Sequence, residues 1–80
     1  MKELVEFIVK SLVDNPDEVH VDAFDERSET ILELSVAAED MGRVIGKNGR
    51  VINSIRTLVQ VSAAKEGRRV SLEVLEADRD

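Results

Sequence analysis

At residues 45–50 the chain reads Ile45-Gly46-Lys47-Asn48-Gly49-Arg50, two glycines bracketing one cationic and one amide side chain. An apolar residue precedes the pair and a helical apolar pattern follows it. Glycine lets backbone approach backbone with no Cβ in the way. A turn that opens into a helix directs unpaired N–H groups outward, where an anion can be held. The stretch therefore predicts a tight bend between two helices, with a seat for a phosphate group.

Downstream, Val51, Ile52, Ile55, Leu58, Val59 and Ser62 fall on one face of a long helix, with Arg50, Asn53, Arg56, Thr57 and Gln60 mostly away from it. Gly67 is placed to cap that helix, beside Lys65, Arg68 and Arg69, which suit its negative end. Upstream, Ala37-Ala38-Glu39-Asp40 opens a short helix with Asp40 or Glu39 at its acidic start; it carries Met41, Val44 and Ile45 and stops at Gly46. At the N-terminus, Leu4, Val5, Ile8, Val9 and Leu12 recur at helical spacing with Phe7 near the stripe, until Asp14-Asn15-Pro16-Asp17 ends the pattern. Val19, Val21 and Ala23 alternate with His20, Asp22 and Phe24 as a strand. Asp25–Glu29 is a polar turn. Leu32, Leu34 and Val36 form a second strand, and the short link predicts an antiparallel hairpin. Val70, Leu72 and Val74 form a third strand, and residues 77–80 a frayed tail. The order is α-β-β-α-α-β. Three amphipathic strands and three one-sided helices call for a two-layer α+β domain, a three-stranded sheet with helices packed on one face.

The 80 residues are 42% apolar and 35% charged, enough for one small globular domain over residues 1–80. With no cysteine there are neither disulfides nor thiolate metal sites. No run has membrane-spanning length and no signal segment is visible, so a cytoplasmic protein is expected. The net charge of −6 is unevenly spread. Residues 1–40 carry 3 basic and 12 acidic side chains, whereas residues 41–69 carry 7 basic and 1 acidic. A cationic island centred on the glycine bend is expected, able to steer a polyanion to it.

With element order and bend in hand, the chain resembles a KH domain of type II, in which a helix precedes the first two strands. The likeness rests on Val44-Ile45-Gly46-Lys47-Asn48-Gly49-Arg50-Val51-Ile52 and runs from about residue 2 to about residue 76. As an isolated single domain of this length, with Asp40-Met41-Gly42-Arg43 leading into the bend, it is similar to the small bacterial KhpA family. The resemblance implies binding of about four nucleotides of single-stranded RNA in a narrow groove. Gly46, Lys47, Asn48 and Gly49 would hold the sugar-phosphate backbone, and Arg43 and Arg50 would add charge. Ile45 and Ile52 would floor the groove, with Leu32 or Leu34 as an opposite wall. Asn48 departs from a more basic loop, which would weaken the electrostatic grip. The resemblance further implies a homodimer, or pairing with a larger KH-containing bacterial protein linked to cell elongation, within bacterial RNA regulation.

Composition agrees. With Phe7 and Phe24 the sole aromatics, stacking platforms are absent, and recognition falls to aliphatic contacts and base-edge hydrogen bonds. Residues 42–48 lack the spacing and the Ser or Thr of a phosphate-binding P-loop. His20 stands without triad partners and the acids lack calcium-loop spacing, so no enzyme activity, metal, cofactor or small-molecule substrate is expected. Val59, Val61, Ala63 and Ala64 widen the long helix's apolar stripe, and either core packing or a helix–helix contact between copies accounts for them. The competing reading is a protein-interaction or dimerisation subunit that works through its acidic half and has little affinity for RNA.

Overall fold

A computed structural model describes residues 1–75; the expected tail at 77–80 lies outside them. The element order is the expected one: helix α1 (Lys2–Leu12), strands β1 (His20–Glu26) and β2 (Glu29–Ser35), helix α2 (Met41–Ile45), helix α3 (Arg50–Lys65) and strand β3 (Arg69–Val74). Short 3-10 turns at Pro16–Glu18, Ala38–Asp40 and Lys47–Gly49 join them. The sheet order is β1-β2-β3, with β1 and β2 antiparallel and β2 and β3 parallel. Reaching the far side of β2 in parallel requires a crossover, and α2 and α3 supply it.

Alternation along the strands sets the layers. Val21, Thr30, Leu32, Leu34, Val70 and Leu72 point to one face and are buried. There they meet Val5 and Val9 of α1, Val44 of α2, and Ile52, Ile55, Val59 and Ala63 of α3. The helices thus cover one face, as expected. Leu32 and Leu34 lie at the centre of this core with no exposed surface, so neither forms a groove wall. Leu58, assigned by spacing to the apolar face of α3, is 54% exposed, because the helix buries a stripe centred on Ile52, Ile55, Val59 and Ala63. Among the described residues no helix is long and apolar enough to cross a membrane.

The hairpin is tighter than the polar run suggested. Glu26 pairs with Glu29, leaving Arg27-Ser28 alone as the loop, with Arg27 at φ 33. Arg68 holds this tip: its Nη1 donates to the Arg27 carbonyl at 3.2 Å, and its Nη2 to Thr30 Oγ1 at 2.9 Å and Asp25 Oδ1 at 3.4 Å. At the end of α3, Gly67 (φ 69) closes the cap: its amide donates to Ala64, and the Arg68 amide to Ala63 at 2.9 Å.

Asp40 departs from expectation. It sits at the N-cap position of α2 but makes no side-chain cap bond. Fully buried, its carboxylate instead accepts the amides of Asp14 (3.1 Å) and Asn15 (3.0 Å) and the Asn15 Nδ2 (3.0 Å), tying the loop after α1 to the start of α2. Burial pushes this carboxyl up. The bonds from the Asn15 side chain and the two amides, with the Arg43 charge, outweigh it and hold the group below its ordinary value. The native value is depressed, so the stabilisation is complete above the unfolded carboxylate value of about 3.9 and is lost as pH falls below it. We expect Asp40→Asn to melt at lower temperature than wild type at pH 7, with the difference shrinking towards pH 2.5. A constant difference across that range would contradict this role.

Candidate nucleic-acid interface

Residues 46–49 are held in a bend that few sequences could form. Gly46 lies at φ 76, ψ 173, Asn48 at φ 58, ψ 26, and Gly49 at φ 75, ψ 15. Three of four residues thus have positive φ. Glycine takes such angles freely, and asparagine is among the few other residues that do so. Asn48 thus has a conformational role at the bend beside the charge that it lacks. At Gly46 space adds to the constraint: a Cβ would stand 2.9 Å from both the Cβ and the backbone nitrogen of Val51. Gly49 has room, its nearest neighbour being Asn53 Nδ2 at 3.6 Å. The Gly46 amide donates to Gly42 and the Gly49 amide to Gly46, so the bend is stitched at both ends. Lys47 and Asn48 open the 3-10 turn, where amides have no partner within the turn. Both side chains are exposed.

The other expected site residues divide by position. Arg50 is exposed at the first turn of α3, and Ile45 is half-buried at the end of α2. Ile52 is 4% exposed and belongs to the core, so it supports the loop from beneath and offers almost nothing to a base. Arg43 is ion-paired to Asp14 at 3.3 Å, with both side chains more than half exposed. Such a pair contributes little stability and exchanges readily.

The cationic segment is contiguous in sequence but split in space. Arg43, Lys47 and Arg50 lie at the bend, whereas Lys65 ends α3 and Arg68 and Arg69 follow it, about 22 Å away at 1.5 Å per residue. Arg68 is occupied at the hairpin tip.

Between the two ends runs a polar track of residues that lie away from the apolar face of α3. The Asn53 amide lies beside Gly49. Arg56 Nη1 donates to Asn53 Oδ1 at 3.3 Å, and Arg56 Nε donates to the Leu72 carbonyl of β3 at 3.1 Å. Arg56 therefore bridges α3 to the outer edge of the sheet, with three of its five N–H groups unused by these bonds. The spacing Gly49, Asn53, Arg56 was a usable sequence signal, since residues three and four apart share a helix face.

Comparison with known proteins gives the chain's family. The family described as KhpA/KhpB, KH domain, matches residues 2–74. The RNA-binding protein KhpA of Clostridium perfringens is 53% identical over 75 residues, 94% of this chain and 100% of that protein. The protein of the same name from Borreliella burgdorferi is 53% identical over 74 residues, 92% of this chain and 90% of its own. That of Chlamydia trachomatis is 47% identical over 76 residues, covering 95% and 97%. No solved structure gives a significant match. With nearly its whole length matched and the three-stranded α+β architecture in place, the chain belongs to the KhpA/KhpB KH-domain family.

Proposed function

We propose that this chain is a non-catalytic, cytoplasmic module that binds single-stranded RNA, with the bend at residues 46–49 gripping the phosphate backbone. The observation that carries the reading is the exposed, left-handed bend at the mouth of α3, with Lys47, Arg50 and an exchangeable Arg43 around it. Ile45 gives an apolar rest for a base, and Asn53 and Arg56 present donors to base edges. The matched relatives are named RNA-binding proteins, which supports the RNA part of this reading. With three or four phosphates engaged, the logarithm of affinity falls with that of salt at a slope of about −2 to −3. Fluorescence anisotropy of a labelled strand, free and annealed to its complement, tests this. The free strand is expected to bind at least tenfold tighter; equal affinity would remove the groove from the account.

A second association is supported by α3, on which Leu58 and Val61 are each 54% exposed, and by Phe7 of α1 at 72%. Unused apolar surface on two packed helices favours pairing, either with a second copy or with a larger KH protein, as the family resemblance also implies. This surface also serves the competing reading of an interaction subunit. Leu58→Glu is expected to convert a dimer into a folded monomer in sedimentation; an unchanged sedimentation coefficient would place the contact elsewhere.

A further inference from the structure

All three helices pack on one face of the sheet, and among the described residues no element covers the other. Register fixes what that open face presents. At its middle Phe24 stands opposite Ile31. Phe24 is 49% exposed and Ile31 half-buried, so an aromatic ring and a β-branched side chain lie together in solvent. Carboxylates flank the pair along the strands: Asp22 opposite Glu33 on one side, Glu26 opposite Glu29 on the other. An apolar centre within a charged border is the anatomy of a binding patch.

The charge on this face is unbalanced. Glu33 stands opposite Asp22 on β1 and also opposite Glu73 on β3, so three carboxylates line up across the three strands. Adjacent strands are about 4.8 Å apart, and like charges directly opposite one another destabilise a sheet. Among the described residues none of these three acids enters an ion pair. Folding thus assembles the row and leaves its repulsion unrelieved. RNA is repelled by such a surface, and the glycine bend lies in the helical layer, away from it. A second copy has cations to offer, but they are those of its bend. That head-to-tail contact does not close on itself and takes the bend from RNA.

We propose that the open face of the sheet docks a basic, extended segment of another protein, while the bend remains free for RNA. Same-face side chains of an extended chain repeat about every 6.6–6.8 Å, as do the rows of the sheet along its strands. A partner with the pattern cation-x-apolar-x-cation therefore matches the face: its apolar residue covers Phe24 and Ile31, and its cations meet Asp22 and Glu33 on one side and Glu26 on the other. Opposed charges select this partner and exclude nucleic acid. The surface is distinct from Leu58 and Val61 of α3. Unlike the competing interaction-subunit reading, it adds a partner to RNA binding instead of replacing it.

The test uses a fluorescein-labelled peptide, Lys-Ser-Lys-Ser-Leu-Ser-Lys-Ser-Lys, and a second with serine in place of leucine. Anisotropy is read on the wild-type chain, on Glu33→Gln/Glu73→Gln and on Phe24→Ser. Losing two carboxylates is expected to weaken the leucine peptide about tenfold or more. On wild type the leucine peptide is expected to bind at least fivefold tighter than the serine peptide, and on Phe24→Ser the two should bind equally. The glutamine variant relieves the repulsion, so it should melt above wild type at low salt, which separates lost binding from lost fold. Amide shifts on the ¹⁵N-labelled chain should gather on Asp22, Phe24, Ile31 and Glu33 and spare residues 46–50. No binding of the leucine peptide to wild type, equal affinity for the glutamine variant, or shifts that gather on α1 overturn the proposal. So does a sedimentation coefficient that differs between wild type and the glutamine variant without peptide, because a second copy would then occupy the face. None of these outcomes bears on the glycine bend, which RNA binding by the same variants reads separately.

Discussion

Replacing Lys47 and Asn48 together with aspartate is expected to reduce RNA affinity at least a hundredfold while the circular dichroism spectrum and melting temperature stay close to wild type. Both side chains are exposed, and neither forms a hydrogen bond or ion pair with the described residues. Aspartate, like asparagine, tolerates the left-handed backbone at position 48. The fold therefore has little to lose. The phosphate has much to lose: one attractive charge disappears and two repulsive ones arrive. Each unit charge at 4 Å is worth about 1 kcal/mol even in bulk water, and 1.4 kcal/mol is about tenfold in affinity. Three such changes give the hundredfold, and a site partly shielded from water gives more. A folded double variant that binds RNA normally would remove the bend from the mechanism.

The second large effect is on stability. Gly46→Ala combines a backbone region that essentially only glycine occupies, at about 1–3 kcal/mol, with overlap against Val51, at about 1–3 kcal/mol. Gly49→Ala suffers only the left-handed penalty of about 1–2 kcal/mol, because its Cβ would meet nothing closer than 3.6 Å. For a domain of this size each kcal/mol shifts the melting temperature by about 4–8 °C. We expect Gly46→Ala to melt at least 10 °C below wild type, and Gly49→Ala to lose about half as much. Equal losses at the two glycines, read by thermal melts, would mean that Val51 yields and the close approach at Gly46 is incidental.

Much of the architecture was legible because it is written in local periodicity. Period-2 runs at Val70-Leu72-Val74 and Leu32-Leu34-Val36, helical stripes in α1 and α3, and Gly67 beyond Lys65 each announce one element. What stayed hidden depends on partners distant in sequence. Asp40 reads as a helix start from its neighbours, yet its carboxylate serves Asp14 and Asn15, some 25 residues away. The resemblance implies a groove-floor role for Ile52, but α3 turns it into the core, where its spacing had already placed it, while Asn53 and Arg56 face the edge of β3. The charge segment looked like one island because sequence distance conceals the length of a helix. At the bend itself the glycines were plain to read, while the role of Asn48 needed its φ of 58.

The claim on which the rest depends is that the amides of Lys47 and Asn48 meet RNA phosphate. Titrating the ¹⁵N-labelled chain with a single-stranded RNA octamer and following its amide resonances tests this directly. The account expects the largest shifts at Lys47, Asn48 and Arg50, smaller ones along Asn53 and Arg56, and none in β1. Shifts that spare residues 46–50 and gather on α1 or on Leu58 and Val61 would contradict it.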